Sequence, residues 1–386
     1  MIQHLPVDWR NAVLVGRLQT AAGPTPVVVS KGMVRDVSRF APTVSQLLNQ
    51  WPRQGSDAIP DGEDLGPIDQ LALRTPGEGS ANAMRLLAPF DLQCVKACGV
   101  TFAVSAVERV IEERARGEAS RATEIREALQ QRMGGDLRSV VPGSAAAARL
   151  KAALIADGMW SQYLEVAIGP DAEVFTKTPV LASVGHGDYI GIRGDSEWNN
   201  PEPEVVLACN ARGEVLGATL GNDVNLRDIE GRSALLLGKA KDNNASCAIG
   251  PFIRLFDDRF TLDRVRNAIV SLDVQGPEGY RLTGQSSMSL ISRDPLELVK
   301  QTLGDHQYPD GFALFLGTMF APTDDRDAPG RGFTHKQGDI VRVSSPDLGV
   351  LENQVRICGS IAPWTFGIGD LMQNLARRGL LRGTAA

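Results

Sequence analysis

The residues best able to do chemistry lie in the segment 197–251. It begins EWNNPEPEVVLACN, in which Glu202 and Glu204 stand two positions apart at the start of an apolar stretch. In an extended chain such positions point to the same side, so the two carboxylates would repel each other unless a cation lay between them. Magnesium, which prefers oxygen ligands, is the simplest candidate. Two exposed acids at the start of a strand are the alternative explanation of this spacing.

A third carboxylate, Asp223, follows in EVLGATLGNDVNLRD, which we predict to be a strand, a turn and the start of a helix. A hairpin through the linking residues ARGE would return Asp223 to the side of Glu202 and Glu204. Its alternative role is to cap the helix that follows, together with Asn222. Three convergent carboxylates plus water would form an octahedral magnesium site, and manganese or calcium would suit the same oxygen ligands.

Two lysines come next, Lys239 and Lys241, in the predicted loop of LLLGKAKDNNASCAIGP. A lysine beside a metal-bound substrate has a lowered proton affinity and can move protons or hold an enolate. Without the acidic neighbours, the same two residues would be explained as surface lysines. The whole segment therefore predicts a metal and lysine site for an oxygen-rich substrate.

PEPE, GNDVNLRD and the lysine upstream of Gly-Pro together resemble the signature run of the fumarylacetoacetate hydrolase superfamily. The resemblance extends over most of residues 86–358 and includes LLAPFDLQCVKACGVTF, GQSSMS, LFLGTMFAP and KQGDIVRVSSPDLGVLENQV. It implies a β-rich catalytic fold and a role for each matching residue. By this resemblance the metal ligands are Glu202, Glu204 and Asp223, the catalytic lysine is Lys241, and the substrate contacts are Thr318, Gly317, Gln285 and Lys177.

The sequence departs from the family pattern at two positions. Hydrolases of the family usually carry a histidine shortly after the first strand of the domain and a glutamate three residues later, and this pair activates the attacking water. In GVTFAVSAVERV, Ser105 occupies the histidine position and only Glu108 remains. Serine is not a base near neutral pH without help. The glutamine usual after the Arg-Asp pair is replaced by Glu230. We expect Ser105 to contact the substrate and Glu108 to act in catalysis, but the pattern disfavours hydrolysis of a carbon–carbon bond.

Elimination of water needs the metal and the lysine but not the missing histidine. A magnesium ion can chelate a 2-oxo carboxylate and acidify its neighbouring methylene, after which a β-hydroxyl can leave. The long form of the family, with an extra charged helix after the first strand, resembles the dehydratases of 2-keto-3-deoxy sugar acids. The resemblance implies a hydro-lyase that converts 2-keto-3-deoxy-D-xylonate, or its arabinonate counterpart, to 2,5-dioxopentanoate.

Two other functions are consistent with these residues. The first is hydrolysis of an acylpyruvate or another diketo acid, with Glu108 recruited as the base. The second is binding of a 2-oxo acid without turnover by a protein that retains the metal ligands. A complete set of carboxylates plus lysine is the kind of cluster that marks active sites, which favours an enzyme over a binding protein.

Composition limits the partners of the chain. The 386 residues carry a formal net charge of -6 with no dense Lys/Arg stripe, which argues against nucleic-acid binding. No signal segment and no apolar run long enough to cross a membrane is visible. The five cysteines are irregularly spaced, as expected of reduced thiols in a cytoplasmic protein. We expect a small 2-oxo acid substrate and, by family resemblance, a homodimer or homotetramer.

The predicted elements indicate an α+β fold with a β-rich catalytic roll or barrel. Two short strands and a helix near the N-terminus predict a small α/β domain over residues 1–85, and the catalytic domain takes 86–386. Helices are predicted over 104–133, over 143–158 with Ser144 as N-cap and Gly158 as stop, and over 366–382. After about residue 160, short Gly-punctuated strands without regular intervening helices argue against a doubly wound parallel sheet.

Overall fold

The computed structural model describes residues 2–51, 59–71, 84–122, 124–125, 140–320 and 322–381, and its framework is two β-sheets. The strands are β1 Leu14–Thr20, β2 Gly23–Ser30, β3 Met33–Asp36, β4 Glu63–Pro67, β5 Arg85–Leu87, β6 Cys94–Gly99, β7 Glu173–Thr178, β8 Tyr189–Ile192, β9 Asn199–Asn200, β10 Pro203–Cys209, β11 Val215–Asp223, β12 Asn225–Leu226, β13 Cys247–Leu255, β14 Ile269–Gln275, β15 Arg281–Ser287, β16 Phe312–Phe315, β17 Ile340–Ser345 and β18 Gly349–Ile357. The larger sheet has the order β4-β3-β2-β1-β13-β11-β10-β16-β6-β7, with β5 added to β1. The second has the order β15-β14-β17-β18-β8, and a small pair joins β9 to β12.

The helices lie at the ends and on the faces of these sheets. They are α1 Val44–Gln50, α2 Ala103–Ala115, α3 Ala145–Ala156, α4 Gln162–Ile168, α5 Arg227–Glu230, α6 Leu237–Lys241, α7 Leu262–Arg266, α8 Pro295–Leu303 and α9 Ile368–Arg377. No described helix is long and apolar enough to cross a membrane. The described part of the chain is thus rich in sheet, and the prediction of a β-rich α+β fold is confirmed.

The centre of the large sheet is covered on both faces, which explains its uniformly apolar sequence. Every residue of β10 is buried. Val205 and Leu207 pack into one hydrophobic cluster, while Val206 and Ala208, which point the other way, pack into a second. A strand buried on both sides needs no polar alternation. By contrast β14 and β17, at the second sheet, alternate between buried and partly exposed positions.

The hairpin predicted through ARGE is present and fixes the register of the acidic residues. Strands β10 and β11 pair antiparallel, with Glu204 opposite Gly221. Asp223 is the last residue of β11 and not part of a turn, and its amide donates to the Glu202 carbonyl at 3.0 Å. Because Asp223 is held in the ladder, the helix that follows starts later, at Arg227, without a cap from Asp223.

Two of the predicted helices are confirmed and one is shorter than predicted. Ser144 caps α3 by accepting from the amide of Ala147 at 3.1 Å, and α9 lies within the predicted tail helix. The helix predicted over 104–133 ends at Ala115, because Arg116 adopts a left-handed conformation (φ 54°) and Gly117 donates back to the Glu112 carbonyl at 3.2 Å. Residues 119–122 and 124–125 of that prediction are helical again, and residues 123 and 126–133 lie outside the described part.

The N-terminal strands continue the large sheet. Strand β1 pairs with β2 on one side and with β13 on the other, through Leu14 opposite Arg254 and Val15 opposite Ile253. The backbone ladder therefore runs from the first 85 residues into the strands that carry the acidic cluster. The division into domains 1–85 and 86–386 stays a prediction.

Candidate metal centre and active site

Glu202, Glu204 and Asp223 converge at one end of the β10–β11 hairpin. Each offers a carboxylate oxygen, and these oxygens all lie within 4.8 Å of one another. The three residues are 1%, 1% and 2% exposed. Three buried carboxylates this close together repel unless cations compensate them. This donor set, made only of oxygens, suits magnesium, manganese or calcium.

Two lysines compensate part of this charge. Lys241, at the end of α6 and not in the predicted loop, pairs with Glu202 and places its Nζ 2.9 Å from Asp223 Oδ2. Lys177, on β7, places its Nζ 2.7 Å from Asp223 Oδ1. Burial by itself would lower the pKa of Lys241, but the charges of Asp223 and Glu202 outweigh it and raise the pKa. In this state Lys241 is therefore a firmly protonated group.

A buried arginine completes the ring of charges around Glu202. Arg109 of α2 pairs with Glu202 and Glu112, and its NH1 lies 2.9 Å from Glu230 Oε2. Behind it, Arg227 Nε lies 3.0 Å from Glu112 Oε1. One side of the charged helix that follows the first strand of the domain thus faces the site. The Arg109–Glu112 spacing and the unusual Glu230 were the signals for this cluster.

Glu204 is held from the other side by the loop after β16. The amide of Gly317 donates to Glu204 Oε2 at 2.6 Å, and Thr318 Oγ1 donates to Oε1 at 3.4 Å. Burial raises the pKa of Glu204 well above its usual range, and the nearby charges of Asp223 and Glu202 raise it further. Burial would also raise the pKa of Glu202, but Lys241 and Arg109 outweigh that effect and lower it to about 2.

A pocket opens over this cluster and brings half of the sequence-predicted residues together. Of those residues, Ser105, Glu202, Asp223, Lys241 and Thr318 line it. The remaining lining is Cys98, Gly99, Val100, Arg109, Glu173, Phe175 and Glu230.

The pocket contains one carboxyl group that sequence reasoning missed. Glu173 is the first residue of β7, and it lines the pocket together with Phe175, two positions later. Burial raises the pKa of Glu173 to about 7, with the charge of Glu230 adding to the effect. The alternation Glu173, Phe175, Lys177 in EVFTKT was the available signal, since these positions share one side of a strand.

Ser105 also has contacts within its own helix, whereas Glu108 and Gln285 lie outside the pocket lining. Ser105 Oγ donates to the Phe102 carbonyl at 2.7 Å and accepts from the Phe102 amide, so it also closes the first turn of its own helix. Glu108 is buried on α2 and is not among the lining residues. Gln285 is exposed on β15, where it donates to Ser271 at 3.2 Å. The structure does not bring Glu108 or Gln285 into this pocket.

The charge balance around the pocket favours a divalent cation. Six carboxyl groups, of Glu112, Glu173, Glu202, Glu204, Asp223 and Glu230, surround four cationic side chains, of Arg109, Lys177, Arg227 and Lys241. With all of these ionised, the described cluster carries two uncompensated negative charges. The raised pKa values of Glu204, Glu112 and Glu173 reflect, together with burial, this excess. A doubly charged ion at the three converging oxygens would neutralise it.

Comparison with known proteins agrees with the geometry. Residues 169–356 match the family described as fumarylacetoacetate (FAA) hydrolase C-terminal. Over 187 residues the chain is 31% identical to the 2-dehydro-3-deoxy-D-arabinonate dehydratase of Saccharolobus solfataricus. Over 197 residues it is 32% identical to a probable 2-keto-3-deoxyxylonate dehydratase of Haloferax volcanii. These alignments cover 48% and 51% of this chain, and only 58% and 64% of the two relatives.

The similarity of fold to solved structures extends over more of the chain than the similarity of sequence to the curated relatives. A 2-keto-3-deoxy-D-arabinonate dehydratase in its apo form superposes with a TM-score of 0.63 at 19% identity, over 89% of this chain and 99% of that one. The same enzyme complexed with magnesium and 2,5-dioxopentanoate gives a TM-score of 0.61. At this identity the superposition establishes the fold alone. In sequence, the segment 169–356 is similar to the fumarylacetoacetate hydrolase C-terminal family.

Proposed function

We propose that this protein is a magnesium-dependent dehydratase of a 2-keto-3-deoxy-pentonate of the D-xylonate or D-arabinonate type. The products would be 2,5-dioxopentanoate and water. One observation carries the proposal: the pocket lies over three converging carboxylates and is lined by Lys241 and Glu173, and among the described residues its lining contains no histidine that could activate an attacking water. The names of the relatives in Saccharolobus and Haloferax support the same reaction and substrate class.

We assign a group of this chain to each step of the proposed reaction. Bound to Glu202, Glu204 and Asp223, magnesium would supply a Lewis acid for the 2-oxo carboxylate. The Gly317–Thr318 loop lies at the same site and would receive the substrate carboxylate. Glu173, with a pKa near neutrality, would take a proton from C3.

Lys241 supports the departure of the hydroxyl. Its ammonium group, protonated in this structure, would donate a proton to the C4 hydroxyl as the C4–O bond breaks, so that water leaves and a C3–C4 double bond remains. Loss of one proton from C5 and one from its hydroxyl group, with uptake of one proton each at C3 and C4, would then convert the C5 alcohol to the aldehyde. No oxidant is needed, because C5 is oxidised while C3 and C4 are reduced.

The test is turnover of a panel of 2-keto-3-deoxy sugar acids, with detection of the semialdehyde. We expect release of 2,5-dioxopentanoate from a five-carbon substrate, loss of activity with chelator, and recovery with magnesium. In deuterium oxide the product should carry deuterium at C3 and C4. Cleavage of a 2,4-diketo acid into two acids, without dehydration, would instead establish the hydrolase alternative.

Two further expectations are part of this proposal. The protein would act in the cytoplasm, where sugar acids are catabolised, and would form a homodimer or homotetramer. Sedimentation at micromolar concentration measures the oligomeric state, and a protein that remains monomeric would contradict the expected homodimer or homotetramer.

A further inference from the structure

Lys177 lies beneath the pocket and not on its wall. It is 0% exposed and is absent from the residues that line the pocket, although Glu173 and Phe175 of the same strand are among them. Fully buried lysines are rare unless they are paired. The position of this charge behind the metal-binding carboxylates therefore requires an explanation other than contact with substrate.

All three donors of the Lys177 ammonium group have partners within the protein. They are Asp223 Oδ1 at 2.7 Å, the Val224 carbonyl at 3.3 Å, and the carbonyl of Lys241. A protonated lysine has three N–H donors and no acceptor. With each donor engaged, Lys177 has none left for a substrate.

These partners belong to the two elements that must be aligned for the proposed reaction. Asp223 ends strand β11 and Val224 follows it directly, whereas the Lys241 carbonyl ends helix α6, where carbonyl groups lack helical partners. Lys241 Nζ in turn reaches Asp223 Oδ2 at 2.9 Å. These contacts form a closed ring. The Lys177 ammonium group contacts one oxygen of the Asp223 carboxylate and the backbone carbonyl of Lys241, and the Lys241 ammonium group contacts the other oxygen of Asp223.

Two neighbouring contacts also hold the C-terminal end of helix α6 in place. Thr178 Oγ1 donates to Asp242 Oδ1 at 3.1 Å. Ser246 Oγ donates to the same Lys241 carbonyl at 2.8 Å. The C-terminus of α6 is therefore attached to β7 at two successive residues, and Lys177 supplies the only cationic donor among these three contacts.

We propose that Lys177 is a positioning residue that fixes Asp223 and Lys241 relative to each other. This inference rests on the proposed function, because it assigns Lys241 to the chemistry. Loss of Lys177 leaves Asp223 Oδ1 without its ammonium partner and the Lys241 carbonyl with one donor fewer. The Asp223 carboxylate can then rotate, and the Lys241 ammonium group loses its defined place at the pocket. Groups of this kind behind a metal site typically contribute about 10–100-fold to activity.

The test uses Lys177→Met, which keeps the length of the side chain but removes its charge and donors. We expect kcat to fall about 10–100-fold while KM changes less than about threefold, because the groups assigned to substrate binding remain. Calorimetry should still show one magnesium ion per chain, since the three carboxylates are intact. A crystal structure with magnesium should show the Lys241 ammonium group displaced. The matched control is Lys96→Met, on adjacent strand β6, whose Nζ donates to Thr176 at 3.0 Å, and it should behave as the wild type.

A second variant, Lys177→Gln, retains N–H donors and covers the case in which the methionine variant does not fold. We expect it to lose kcat as well, though less. Wild-type kcat in either folded variant overturns the proposal. Failure of both variants to fold also overturns it, because Lys177 would then be a stability residue. If the wild-type protein dehydrates none of the sugar acids, the proposed function fails separately. The calorimetry and the position of Lys241 then still decide the role of Lys177.

Discussion

Glu173 is the pocket carboxyl whose protonation state changes near neutral pH. Its pKa is raised to about 7, chiefly by burial, so below that pH the protonated form predominates and cannot accept a proton. If Glu173 is the base for C3, kcat/KM rises about tenfold per pH unit below 7 and levels off above it. We predict that Glu173→Gln lowers kcat at least about 100-fold and removes this rising limb, as measured by pH–rate profiles of both proteins.

The control for this prediction is a glutamate that pairs outside the pocket. Glu165 on α4 contacts Lys151, and its side chain is 44% exposed. Glu165→Gln should keep both the rate and the pH profile of the wild type. A Glu173→Gln protein with more than about a third of the wild-type kcat would show that another group takes the C3 proton.

At the scale of elements, the turn after β16 has no room for a side chain at its glycine. Gly317 has a φ of +106°, and a Cβ atom there would lie 1.9 Å from Thr101 Oγ1. Thr101 cannot easily move, because it donates to the Leu316 carbonyl at 2.6 Å. The amide that this turn directs at Glu204 therefore depends on glycine.

We predict that Gly317→Ala lowers the free energy of unfolding by at least about 1–3 kcal/mol, the usual size of such backbone strain, and weakens magnesium binding. Thermal unfolding and calorimetry measure the two effects. Gly359→Ala is the control, because no atom lies within 4 Å of its added Cβ. Unchanged stability and metal affinity in Gly317→Ala would contradict the prediction, because the loop would then rearrange without a cost in folding stability or in magnesium binding.

At the scale of the whole molecule, the excess of buried negative charge links metal binding to stability. The acidic triad lies at the start of β10 and the end of β11, two strands at the centre of the large sheet, so its repulsion opposes folding of the sheet itself. A ligand that binds only the folded state stabilises it by about 2.7 kcal/mol at one hundred times its Kd. We predict that the melting temperature rises steadily with magnesium concentration.

The same titration distinguishes the site from nonspecific salt effects. Asp223→Asn should abolish the magnesium-dependent rise in melting temperature, whereas Asp305→Asn, an exposed acid after α8, should keep it. An equal rise in both variants would indicate that magnesium stabilises the protein somewhere other than at the triad.

Local sequence determined much of the metal site. Glu202 and Glu204 share one side of a strand whatever the rest of the fold does, because side chains alternate along extended chain. The short ARGE link then requires an antiparallel hairpin, which returns Asp223 to their side. Ser144 could be identified as a cap for the same reason: the interaction joins residues three positions apart.

Tertiary structure alone decided which other groups reach this site. Arg109 comes from a helix 93 residues away from Glu202 in the chain, and Lys177 lies on a strand at the far edge of the sheet order. The spacing of Arg109 and Glu112 indicates a pair within the helix but not that Arg109 reaches Glu202, and nothing local in the sequence distinguishes Lys177 from a substrate contact. Their partners, and hence their charges and roles, follow from packing between distant elements, which periodicity and spacing do not encode.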